Sequence, residues 1–134
     1  MRISSLHIDD QLTWRGGQAQ VLYLLKGLVQ RGHRAELASP PESILGERAR
    51  EAGIAVHDVR MRGEADLFAA RKLGRIVREG QYDIVHMHAA HAQTIGALAC
   101  AFNHRPKCIS HRRVDFPISS GPLGLAKLKY HFRV

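Results

Sequence analysis

The residues with chemical potential in this chain gather around Tyr82-Asp83-Ile84-Val85-His86-Met87-His88-Ala89-Ala90-His91. The apolar run after Gly80 reads as a buried parallel strand, and the alanine-rich stretch behind it as a helix, so the histidines fall at a strand-to-helix turn. A period of two puts Ile84, His86 and His88 on one face and Val85 and Met87 on the other. His86 is then expected to be the deeper ring, a core histidine held by a backbone hydrogen bond. His88, at the strand end, can carry charge near neutral pH and touch an anion, with His91 one helical turn beyond it. The same spacing also suits a metal, and His7 and His111 could converge from neighbouring strand ends. No acidic partner accompanies them, and the expectation is no metal.

Two further stretches could meet an anion beside His88. Gly16-Gly17 precedes a helix, where glycine lets backbone approach a phosphate and the helix amino terminus favours its charge. The dinucleotide fingerprint G-x-G-x-x-G is absent, the second strand ends in Ser39-Pro40-Pro41 rather than an acidic residue, and no G-K-[ST] occurs. The alternative is a glycine pair needed only to reverse the chain. In Ser110-His111-Arg112-Arg113-Val114-Asp115-Phe116, guanidinium groups could grip a phosphate or carboxylate and Asp115 could bind hydroxyls. The alternative there is a solvated turn in which Asp115 pairs with an arginine.

These residues need elements to position them. The pattern predicts strands over 2–8, 34–39, 54–59, the histidine stretch and 107–111. Helices are expected over 18–31 (closed by Gly32), 42–52 (closed by Gly53), 66–79 (Asp66 as cap, Gly80 as stop) and 92–102. Strict alternation argues for an α/β fold, a Rossmann-like doubly wound parallel sheet, and right-handed crossovers favour the order 3-2-1-4-5. In that order the Gly16-Gly17 loop and His88 leave neighbouring strands.

The bulk properties agree with one such domain. At 134 residues with 45% apolar content the chain can bury a core, and no apolar run approaches the roughly 20 residues of a membrane span. The amino terminus, with Asp9 and Asp10 close behind, does not read as a secretory signal, which predicts a cytoplasmic protein. Cys100 and Cys108 show neither metal nor redox spacing and read as buried thiols. A formal charge of +8 predicts anionic partners without selecting among them. Aromatics for base stacking are few, at 6%, so nucleic acid is not expected.

Taken together, Trp14-Arg15-Gly16-Gly17, the helix ending Gln30-Arg31-Gly32-His33, the strand Asp83 to His88, and Ser110 to Phe116 resemble the amino-terminal half of a family 4-like glycosyltransferase of the GT-B fold. The resemblance implies an acceptor-binding domain, and a second domain for the nucleotide-sugar that this sequence does not contain. It implies sugar transfer with retention of configuration, without cofactor or metal, to a glycoconjugate or lipid-linked acceptor. By position it assigns Gly16 and Gly17 to the loop near the donor phosphates and His88 to the reacting sugar or phosphate. A rival reading is a non-catalytic α/β module, binding or regulatory, for an anionic ligand. From Gly121-Pro122-Leu123 a helical pattern runs to Val134 without a cap, as though the chain continued. Leu125, Leu128 and Phe132 with Lys127, Lys129 and Arg133 would make it an amphipathic basic helix, suited either to an anionic membrane or to ordinary core packing.

Overall fold

The computed structural model describes residues 1–63, 66–101 and 103–111. Five strands and four helices alternate: β1 (Ser4–Ile8), α1 (Gly16–Gln30), β2 (Arg34–Ser39), α2 (Ile44–Glu51), β3 (Val56–Asp58), α3 (Leu67–Gly80), β4 (Ile84–Met87), α4 (Ala90–Ala101) and β5 (Lys107–Ser110). All strand pairs are parallel and the order is β3-β2-β1-β4-β5, as the alternation predicts. His7 stands opposite His86, and His86 opposite Ile109. Arg112, Arg113, Asp115 and the helical pattern over 123–134 lie outside the described residues.

The sheet separates two cores. Leu6, Ile8, Ala38, Val85 and Met87 pack with Leu73, Val77, Ile95 and Ala99 of α3 and α4. Ala35 and Leu37 pack with Val21, Leu22, Leu25, Leu45 and Ala49 of α1 and α2. Because side chains alternate along a strand, Ser5, His7 and His86 lie on the second face.

Several boundaries differ from expectation for identifiable reasons. The α1 helix starts at Gly16, so the glycine pair forms its first turn instead of the loop before it. The α2 helix starts after Ser43, whose Oγ accepts the Gly46 N–H at 2.8 Å, a cap within the stretch read as helix. Asp66 caps α3 as expected, its Oδ1 accepting from the Ala69 N–H at 3.0 Å. Gly80, however, does not stop α3. The helix includes it, and Gln81 takes the left-handed turn at φ 50°. Glycine is required at 80 because an added Cβ would lie 2.2 Å from the Tyr82 ring. Gly32 and Gly53 do adopt the positive φ expected of helix-ending glycines, 85° and 78°.

A polar cluster ties the edge to the centre of the sheet. Glu36 on β2 accepts from Tyr82 Oη at 2.9 Å, pairs with His57 on β3 at 2.8 Å, and forms an ion pair with Arg34. Arg34 also donates to the Gly80 carbonyl at 2.6 Å and lies over the Tyr82 ring. Burial of Glu36 disfavours its charge, but the hydrogen bonds from His57, Arg34 and Tyr82 win and hold its carboxyl below the ordinary range.

Candidate functional site

The site grows from the carboxyl edge of the two central strands. The ladder runs one step past β4, since the His88 N–H donates to the Ile8 carbonyl at 2.9 Å, and one step past β5, where the His111 N–H donates to the Met87 carbonyl at 2.9 Å. Backbone pairing thus fixes where each imidazole begins. His7, His86, His88 and His111 gather there: the His86 and His88 ring centroids are 3.9 Å apart, and His111 stacks 5.8 Å from His86.

His7 and His88 are joined directly, His7 Nδ1 to His88 Nε2 at 2.9 Å, and Ser5 Oγ sits 3.0 Å from His7 Nε2. The Ser5 hydroxyl has its own long contact to the Arg34 carbonyl, at 3.5 Å. If its proton points there, His7 donates from Nε2 and accepts His88 Nε2–H at Nδ1. Burial, reinforced by the nearby His86, lowers the His7 pKa to about 3, so His7 is neutral at physiological pH.

Burial reverses the expected depths of the two strand histidines. His88 is only 5% exposed, whereas His86 is partly exposed. On the neighbouring strand the chain beyond Ile8 stays buried through Asp9 and Asp10 as well. That loop is organised by its first carboxylate. Asp9 Oδ1 accepts from the Gln11 N–H at 2.9 Å, and Asp9 Oδ2 accepts from Gln18 Nε2 at 3.3 Å. Gln18 Oε1 in turn accepts from the Arg15 N–H at 3.1 Å, which sets the amino terminus of α1. A Cβ added at Gly16 would meet nothing within 4 Å, so space is open above the first turn.

Of the residues singled out by sequence, Gly16 and Gly17 begin α1 behind β1, His88 and His91 follow β4, and His111 follows β5, all leaving the same sheet edge. Sequence reasoning left three relationships unmade. It saw no bond between His7 and His88, because they are brought together only by the β1–β4 pairing. The bond between Asp9 and Gln18 was not foreseen either, although a carboxylate after a central strand was a usable signal. Sequence reasoning read Cys100 and Cys108 as separate buried thiols, whereas they are half-buried and interact across α4 and β5, which pushes Cys100 up and holds Cys108 down. A cavity of about 400 Å³ opens elsewhere, beside the end of β3, with Arg60, Arg62, Lys72, Asp66 and Phe68 on its walls.

An all-parallel sheet in this order, with polar side chains collected at the carboxyl edge of its central strands, is the Rossmann-like half of a GT-B architecture. The chain belongs to Glycosyltransferase Family 4, whose model matches residues 14–132. Among solved structures it is similar to a glycosyltransferase from Rickettsia africae (TM-score 0.76, 17% identity, 89% of this chain and 32% of that one). It is also similar to HepE from Anabaena in complex with UDP (TM-score 0.71, 16% identity, 92% and 33%). A third similar structure is MurG from Acinetobacter baumannii (TM-score 0.66, 15% identity, 81% and 35%). The chain spans about a third of the length of each. No curated protein matches it. Among the described residues, no helix is long and apolar enough to cross a membrane.

Proposed function

We propose that this chain is the acceptor-binding, amino-terminal domain of a retaining glycosyltransferase that moves a sugar from a nucleotide-sugar to a glycoconjugate or lipid-linked acceptor. The observation that carries the reading is the family match over 14–132, combined with a buried His88 at the edge where β1 and β4 meet. A nucleotide-sugar donor is favoured by HepE, solved with UDP and with UDP-glucose. On this reading most donor contacts belong to a second domain.

Transfer is taken to need no metal. The leaving diphosphate would be neutralised by the amino terminus of α1, whose first-turn N–H groups have no partner within the helix, and by basic side chains of this edge. His88 would contact the reacting sugar or phosphate, with Gly16 and Gly17 beside the donor phosphates and His91, His111, Arg112, Arg113 and Asp115 around the acceptor. The enzyme would work in the cytoplasm, with 123–134 against the inner, anionic face of the membrane that carries the acceptor.

Saturation-transfer NMR with a panel of acceptor sugars and lipid-linked analogues tests the assignment on this chain directly. Acceptor signals should transfer to wild type and weaken in His88→Ala, and the chain alone should turn over no donor. Turnover by the chain alone, or no acceptor binding, would refute the domain reading. Sedimentation with anionic liposomes tests the membrane contact: salt-sensitive binding supports it, and no binding at low ionic strength refutes it.

A further inference from the structure

We infer that His7, His86 and His88 form a binding site for one divalent transition-metal ion of the zinc class at the carboxyl edge of β1 and β4. Each offers a ring nitrogen, and the three nitrogens lie within 4.8 Å of one another. Their backbones are set by the sheet: His7 is paired with His86 in the ladder, and His88 is bonded to Ile8. Convergence therefore does not depend on a loop.

The His7–His88 pair is already near ligand spacing, and the rest of the group, whose nitrogens lie within 4.8 Å of one another, must close around the ion. At Zn–N distances of roughly 2.0–2.1 Å, two nitrogens of a tetrahedral site stand about 3.3 Å apart. His7 Nδ1 and His88 Nε2 are already 2.9 Å apart and face each other, so an ion replacing the proton between them must part the rings by a few tenths of an ångström. Ser5 Oγ, 3.0 Å from His7 Nε2, supplies the outer partner that holds a ligating imidazole in one orientation and leaves Nδ1 for the ion. His111 flanks the group, its ring 5.8 Å from that of His86 and 6.2 Å from that of His88.

The donor set selects the class of ion. Three imidazoles with no carboxylate in the group suit Zn²⁺, Co²⁺, Ni²⁺ or Cu²⁺, and offer none of the oxygens that Mg²⁺ and Ca²⁺ require. Such an ion would occupy the imidazole assigned above to the substrate, so it would inhibit sugar transfer rather than assist it. That consequence rests on the proposed role of His88. The binding itself does not.

Calorimetric titration of the EDTA-dialysed chain with ZnCl₂, and visible spectroscopy with CoCl₂, test the site without any activity assay. We expect one ion per chain, intense absorption bands of tetrahedral, nitrogen-ligated Co²⁺, and no response to MgCl₂. His86→Ala, at the most accessible ligand, should weaken Zn²⁺ binding by more than the roughly 10-fold expected for Ser5→Ala, which removes only the outer partner. The exposed His104→Ala should change nothing. Absence of saturable binding, an octahedral Co²⁺ spectrum, or undiminished affinity in a folded His86→Ala variant would overturn the site. Inhibition of transfer by Zn²⁺ in the full enzyme, relieved by EDTA, separately tests the consequence. Tight binding without inhibition would leave the metal site standing and count against His88 as the substrate contact.

Discussion

His7 Nδ1 and His88 Nε2 lie 2.9 Å apart, so one proton is shared across the seam between the first and fourth strands. His88 is thereby held through Nε2. In an enzyme carrying this domain and a donor-binding domain, His88→Ala should lower kcat by roughly 100-fold if the ring acts in the transition state. The thermal melt must confirm folding, and an unimpaired kcat in a folded variant would remove His88 from the chemistry.

Glu36 should give the fold an acid-sensitive component. Its carboxylate is partly buried yet accepts from His57, Arg34 and Tyr82, and its folded pKa is depressed below the ordinary 4.5. The sign follows: this stabilisation is complete above the unfolded value and is lost as pH falls through the folded one. Glu36→Gln should lower stability at neutral pH by about 1–3 kcal/mol. Urea midpoints measured from neutral to acidic pH should show the gap between variant and wild type closing as the carboxylate protonates. A gap that does not change with pH would contradict the network's ionic character.

Gly96 sets the distance between α4 and the strand beneath it. A Cβ there would lie 2.5 Å from Met87 Sδ and 3.3 Å from Ile8 Cδ1. Although alanine is the better helix former, Gly96→Ala should destabilise the chain by about 1–3 kcal/mol through overpacking. Gly80→Ala should also destabilise, against the Tyr82 ring. A raised melting temperature in either variant would show that the neighbouring side chain yields without cost.

Gln81 is a non-glycine residue in the left-handed region. Gln81→Gly removes a conformational cost of about 1–2 kcal/mol, partly offset by the greater freedom glycine gives the unfolded chain. The net expectation is a gain of up to about 1 kcal/mol, read as a higher urea midpoint with unchanged slope.

The sheet order was legible because alternation of strand and helix leaves few topologies, and each segment carries its own period. Elements whose ends are decided by local chemistry were also readable, as at Asp66, Gly32 and Gly53. Where tertiary packing decides, local signals misled. Gly80 carries a stop signal but is glycine to clear Tyr82. The candidate site was half readable for the same reason. His88 stands out from its place at a strand end, but its partner His7 lies on another strand, distant in sequence.

The placement of β1 has a consequence for synthesis. Met87 pairs with Ile8, so the first strand leaves the ribosome long before its fourth-strand neighbour exists. At 5–20 residues per second the wait is roughly 4–16 s. During that interval β1, β2 and β3 can close with α1 and α2 around Leu25 and Leu37, while Leu6 and Ile8 stay uncovered by α4. Nascent chains stalled before Ile84 should therefore show protease protection of α1 and α2 together with an exposed apolar face that recruits a chaperone, and release past Ala101 should bury it.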